Sequence, residues 1–165
     1  MPLVLFKEYS LKDIIQDCLC MTEISKTTVV PYTSDEMYGL VSDIESYPIF
    51  LPWCTEAKIL TQYDESLTAS LSLALGKIRQ SFTTKNTMQD GSRIDMQLVE
   101  GPFKHLTGYW RFIQEDDRSC HIHLHMHFEF KNKIIKHILG KAFYKVMDTL
   151  VESFVQRAQH IYGNR

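Results

Sequence analysis

Cysteine is too sparse in this 165-residue chain to staple it: Cys18 and Cys20 form a CxC pair, Cys54 and Cys120 stand alone, and neither a disulfide framework nor a zinc-finger spacing results. An excess of positive charge is missing as well. The 18 Lys and Arg against 20 Asp and Glu leave a net charge of −2, without the clustered basic surface that binding through phosphates requires, so DNA is not an expected partner. Long apolar runs are also absent. The opening MPLVLFKEYSLKDIIQDCLC is interrupted by Lys7 and Glu8, which fits neither a secretory leader nor a membrane span, and Glu8, Asp13 and Asp17 do not suit a mitochondrial transit peptide. A cytoplasmic location is expected. Finally, there is no phosphate-cradling glycine loop, GxSxG elbow, HExxH pair or GxGxxG turn. No catalytic residue or catalytic cofactor is therefore assigned, and the protein is expected not to be an enzyme. Asp116 and Asp117 read as turn residues, and Glu100 as a turn or rim acid.

What is present is the pattern of one globular domain with a sizeable core. Residues 1–20 stand apart as an N-terminal extension. Leu11, Ile14, Ile15, Cys18 and Leu19 have helical spacing, so this piece is either an appended helix or an artefact of start-site choice, with the domain proper at 21–165. ISKTTVVPY (24–32) reads as a strand ending at Pro31. A helix follows, with Thr33 and Glu36 as a capping box and Met37, Leu40, Val41 and Ile44 as its apolar stripe. Pro48 is expected to break regular structure, and YPIFLPWC (47–54) is too apolar for a free loop. From 55 to 130 strand follows strand, with DESL, QDGS and EDDRS as turns. A long amphipathic helix closes the chain from a cap at Asn132 to a stop at Gly163, with Ile135, Ile138, Leu139 and Phe143 opening its apolar stripe and Ile161 ending it. The fold class is α+β: a curved antiparallel sheet wrapped around a long C-terminal helix.

The stretch CHIHLHMHF (120–128) sets four of the seven histidines at alternate positions. In an extended strand His121, His123, His125 and His127 share one face, and Ile122, Leu124, Met126 and Phe128 the other. Two histidines at i and i+2 can share a metal ion, but no second Cys/His cluster supplies further ligands. The histidine side is read as a solvated face, with metal contact as the alternative and no metal ligand assigned. The opposite side joins a broad apolar face rich in Phe, Met, Leu and Trp. Either the helix fills that face as core, or the bent sheet leaves an apolar pocket of a few hundred Å³, on the order of a small-ligand site.

Four motifs carry a family resemblance: VPYTSDEMYGLVSDIESYPIFLPWC (30–54), SFTTKN (81–86), LVEGPFKHLTGYWRF (98–112) and FEFKNKIIKHILGKAF (128–143). Together they resemble the polyketide cyclase/dehydrase-like branch of the START-like superfamily, nearest the coenzyme Q-binding protein family, whose bacterial members are named ribosome association toxin RatA. The resemblance implies a helix-grip fold around a lipid-sized cavity. It also implies ubiquinone as a bound, non-catalytic ligand, a role as lipid chaperone in respiration, and peripheral contact with the inner face of the cytoplasmic membrane. The alternative it implies is an inhibitor that binds the large ribosomal subunit.

The expected cavity wall is Phe82, Met96, Leu98, Trp110 and Phe112 with Leu124, Met126, Phe128 and Phe130 from the sheet, and Met147, Leu150, Val151 and Phe154 from the helix. Phe50, Leu51, Trp53 and Phe103, beside Lys104, are the expected entrance, acting as an exposed membrane contact or as a lid. A ribosomal contact would use Lys77, Arg79, Lys85 and Arg93, with Lys131, Lys133, Lys136 and Lys141 near the helix start.

Overall fold

The computed structural model describes residues 21–165; the expectations for residues 1–20, Cys18 and Cys20 among them, lie outside the described residues. Seven antiparallel strands form one sheet in the order β1-β7-β6-β5-β4-β3-β2: β1 (Thr22–Val30), β2 (Cys54–Tyr63), β3 (Ser66–Leu75), β4 (Ile78–Gln89), β5 (Arg93–Glu100), β6 (Phe103–Gln114) and β7 (Cys120–Phe130). Strands β2 to β7 are a meander of hairpins, and β1 returns to pair with β7 over nine residues. One consistently apolar face explains why the sheet needs a partner. That partner is α3 (Lys133–Tyr162), capped by Asn132, whose side chain accepts from the Ile135 amide at 2.9 Å, and stopped at Gly163 with φ 83°.

Between β1 and β2 lie α1 (Ser34–Ser42), a single 3₁₀ turn (Ile44–Ser46) and a short α2 (Tyr47–Phe50). The capping box forms as its spacing requires: Thr33 Oγ1 accepts from the Glu36 amide at 3.2 Å, and the Thr33 amide donates to Glu36 Oε2 at 2.9 Å. Pro48 does not break regular structure. It sits in the first turn of α2, where a missing N–H costs nothing because that donor has no intrahelical partner. Ile44 is buried as expected, but in the 3₁₀ turn rather than in α1. Two residues assigned to the apolar stripe of α3, Ile138 and Ile161, are exposed; Ile138 lies on the outward side of a turn whose Leu139 and Gly140 are buried.

The C-terminus of α3 is tied to α1. Tyr32 donates to the Gly163 carbonyl at 2.8 Å, Tyr162 to the Glu36 carbonyl at 3.3 Å, and Arg165 pairs with Glu36 at 3.0 Å. Toward the start of α3 the interior is filled by rings: Phe103, Phe128, Phe130 and Phe143 lie with centroids 5.0–6.0 Å apart. The interior is less completely filled toward the other end.

Candidate apolar ligand site

A largely enclosed cavity of about 80 Å³ lies between the sheet and the second half of α3. Its position follows from alternation. On β4, β6 and β7 every second residue faces α3, which brings Phe82, Trp110, Leu124 and Met126 to the wall, and Met96 joins them from β5. The helix contributes Met147, Leu150 and Phe154 at spacings of three and four. Ile44, Tyr47 and Trp53, from the connection between α1 and β2, close one side.

Several expected wall residues lie elsewhere. Phe128 and Phe130 belong to the phenylalanine cluster, which leaves no space around them. Phe112 is buried, stacked parallel to Trp110 at 6.3 Å and edge-on to Tyr38. Leu98 and Val151 are half-buried against the core without reaching the cavity. The cavity is also far smaller than the few hundred Å³ expected, because the side chains of α3 occupy most of the concave face.

The expected entrance divides. Leu51 and Phe103 are fully buried and offer no exposed membrane contact; Phe103 is the centre of the phenylalanine cluster at the far end. Lys104 is exposed and pairs with Glu129 at 3.3 Å. Phe50 is half-buried, edge-on to Tyr47 and Phe154 at 6.0 and 5.2 Å, with the Arg157 guanidinium over its ring at 5.3 Å. Trp53 lines the cavity and also an open outer groove of about 850 Å³ that runs past Phe50, Pro52, Leu75 and Val146. One indole therefore stands between the interior and a partly apolar surface channel.

Two polar side chains of the wall were not anticipated. Thr84 and Asn86 are buried on the inner face of β4, in the same alternating set as Phe82. Phe82-x-Thr84-x-Asn86 was legible in the sequence once Phe82 was placed inward. Asn86 Oδ1 and Trp53 Nε1 are buried without a hydrogen-bond partner. Both residues line the cavity, and a buried polar atom left unpaired costs about 1–3 kcal/mol, so each would gain from a hydrogen-bonding ligand or water within reach. The indole can only donate; the amide, depending on its orientation, presents either an acceptor or a donor. Tyr47, by contrast, is satisfied, donating to the Val41 carbonyl at 2.6 Å, and burial drives its phenol well above the ordinary range. Burial likewise pushes the Cys54 and Cys120 thiols up to about 11, which leaves both as neutral thiols without nucleophilic character at physiological pH. No described helix is long and apolar enough to cross a membrane.

The sequence model of the family described as polyketide cyclase/dehydrase and lipid transport matches residues 30–155. Over 163 residues, 99% of this chain and 100% of the relative, the sequence is 38% identical to ribosome association toxin RatA from Escherichia coli (strain K12). It is 26% identical over 147 residues to the mitochondrial coenzyme Q-binding protein COQ10 homolog B of Xenopus laevis, covering 87% of this chain and 60% of that one. Among solved structures, the Zhui aromatase/cyclase from Streptomyces sp. R1128 superposes with a TM-score of 0.76 at 15% identity, over 84% of this chain and 94% of that one, which speaks for the fold alone. The helix-grip architecture and the full-length similarity agree, and the chain belongs to the polyketide cyclase/dehydrase and lipid transport family, in the branch that holds the ribosome association toxins and the coenzyme Q-binding proteins.

Proposed function

We propose that the protein is a non-catalytic carrier for a polyprenyl quinone of the ubiquinone class, with the quinone ring held between β4 and α3. The observation that carries this reading is the apolar cavity lined by Trp53 and Asn86, whose indole N–H and amide oxygen are buried without a hydrogen-bond partner. A quinone carbonyl is an acceptor for the indole, and the Asn86 amide serves a carbonyl or, in the reduced form, a hydroxyl. The isoprenoid tail would gain about 25 cal/mol per Å² of apolar surface removed from water. The outer groove past Phe50, Pro52 and Leu75 offers it a path.

As it stands the cavity is too small. An apolar space of about 150 Å³ is what admits benzene, against about 80 Å³ here, so loading requires the wall to give. The residues suited to that are Met96, Met126 and Met147, whose unbranched thioethers repack at low cost, and Trp53, whose displacement joins the cavity to the groove. Transient contact with the inner membrane surface is part of this reading, since an insoluble cargo has to be collected there. The similarity to the COQ10 homologue supports it; the similarity to an aromatase/cyclase is a similarity of fold and gives no reaction.

The test is an organic extract of the purified full chain examined by mass spectrometry, with thermal melts after adding ubiquinone. A co-extracted quinone, or a raised melting temperature that is lost in Trp53→Ala, is the expected result. Well-folded protein that is repeatedly lipid-free and indifferent to added quinone would overturn the reading.

A second reading, an inhibitor bound to the large ribosomal subunit, is favoured by the 38% identity to a ribosome association toxin over the whole chain. Of the lysines and arginines considered for it, Arg93 is engaged with Asp95 at 2.7 Å and Arg79 with the Gly76 carbonyl at 3.0 Å. Lys131, Lys133, Lys136 and Lys141 are exposed around the start of α3, whose first turn holds no acidic residue. Co-sedimentation with the large subunit that weakens steeply with salt and is lost when these four lysines become glutamine supports this reading; no binding at low salt removes it.

A further inference from the structure

The four histidines of β7 share a face but not a fate. His121 Nε2 lies 3.2 Å from Glu115, and His123 Nε2 lies 3.1 Å from the Ser25 hydroxyl. The other two converge: His125 Nε2 and His127 Nε2 stand 3.7 and 3.6 Å from one oxygen of Glu23, and their rings are 4.7 Å apart. Glu23 sits on β1 directly opposite His127 in the strand register. One ligand atom from each of the three residues lies within 4.8 Å of the others.

We propose that Glu23, His125 and His127 form a site for a divalent transition metal of the zinc type, on the outer face of the sheet and away from the apolar cavity. Zinc binds imidazole nitrogen and carboxylate oxygen at about 2.0–2.2 Å, which places tetrahedral ligands somewhat over 3 Å from one another. The 3.6 and 3.7 Å edges to Glu23 need contractions of only a few tenths of an ångström, and the third edge, between the two imidazole nitrogens, lies within 4.8 Å and closes by side-chain rotation. Two imidazoles and a carboxylate are a donor set for zinc, nickel or copper rather than for magnesium or calcium, which prefer oxygen.

The sequence argument against a metal was the lack of a second Cys/His cluster. The third ligand is instead a carboxylate from the neighbouring strand, which only the β1–β7 register reveals. The His125 ring is held by stacking on Tyr109 at 5.2 Å, and Arg93 lies over the other partner of that stack, Tyr109, at 4.1 Å, its charge balanced by Asp95. The ion would bridge edge strand β1 to β7. Three protein ligands leave a fourth position for water or an exchangeable ligand, next to an open groove of about 480 Å³ walled by His125, His127, Lys85, Thr107 and Tyr109.

The test uses tag-free full chain stripped with chelator, titrated with zinc by calorimetry and with Co²⁺ by visible absorption. Native protein should bind one zinc and show the absorption of four-coordinate cobalt. Glu23→Gln, His125→Ala and His127→Ala should each weaken zinc binding by about tenfold or more, while His121→Ala and His123→Ala leave it unchanged. Far-UV circular dichroism of each variant verifies that it is folded, and Glu23→Gln, an exposed isosteric change, is the variant least able to act through the fold. Equal loss in all four histidine variants, or zinc affinity unchanged in Glu23→Gln, would overturn the site in favour of diffuse binding along the histidine face. So would the absence of any zinc binding by the native chain at neutral pH.

Discussion

Toward the start of α3, four phenylalanines pack ring against ring until nothing is left over; toward its other end, Tyr47, Phe50, Trp110 and Phe154 also pack at 5.2–6.0 Å, yet a cavity remains beside them. Both regions are covered by the same sheet and the same helix. The difference lies in the neighbours. Around Phe103 the contacts are rigid rings. Around the cavity the rings are interleaved with three methionines and two polar side chains, Thr84 and Asn86, which do not fill space as rings do. One end therefore serves stability, and the other carries the features of a ligand site.

The strongest way to break this contrast is to hollow the closed end. Phe103→Ala should destabilise the fold by about 3–5 kcal/mol in a denaturant titration, whereas Met147→Ala, beside space that already exists, should cost nearer 2 kcal/mol. Equal losses would show that the two ends are packed alike. Filling the sheet beneath the cavity comes next. A Cβ on Gly108 would collide with Met126 Sδ and with the His125 carbonyl oxygen, the second of which is backbone and cannot swing aside. Gly108→Ala should therefore cost about 1–3 kcal/mol, read from the same titration.

Asn86→Leu sharpens the comparison in the opposite direction. It removes an unpaired buried acceptor, so the ligand-free protein should gain about 1 kcal/mol while quinone retention falls; a loss of stability would mean that Asn86 already has a partner. The smallest effect concerns the clasp between α1 and the end of α3. Burial raises the Glu36 carboxyl, but the Thr33 amide and Arg165 outweigh it, and the group ends below its ordinary value. A depressed carboxylate stabilises the fold above its unfolded pKa and loses that contribution as pH falls through the folded one. Glu36→Gln should thus cost under about 1 kcal/mol at pH 7 and progressively less as pH falls below the ordinary carboxylate range, measured by paired denaturant titrations.

How much of this was legible beforehand differs element by element. The capping box at Thr33 and Glu36, the cap at Asn132 and the stop at Gly163 are local devices, complete within a few residues, and each forms as its spacing requires. The alternation of β7 placed Leu124 and Met126 inward and the histidines outward without error. Thr84 and Asn86 escape a reading that assigns only apolar side chains to an inward face, although their spacing from Phe82 places them there. Phe103 and Leu51 stand on proline-bearing segments that the sequence reads as either an exposed contact or a lid; the burial of those particular side chains depends on which strands and helix lie against them.

The sequence alone determined what periodicity and capping determine: the strands, the long helix, the inward and outward sets, and the motifs that mark the family. Tertiary structure alone decided how nearly α3 fills the concave sheet, which rings close the far end, that Trp53 separates cavity from groove, and that Glu23 meets His125 and His127. The physical reason is range. Periodicity and caps act over two to four residues, whereas a cavity or a metal-binding triad is fixed by the register and separation of segments about a hundred residues apart in the chain, which no local pattern encodes.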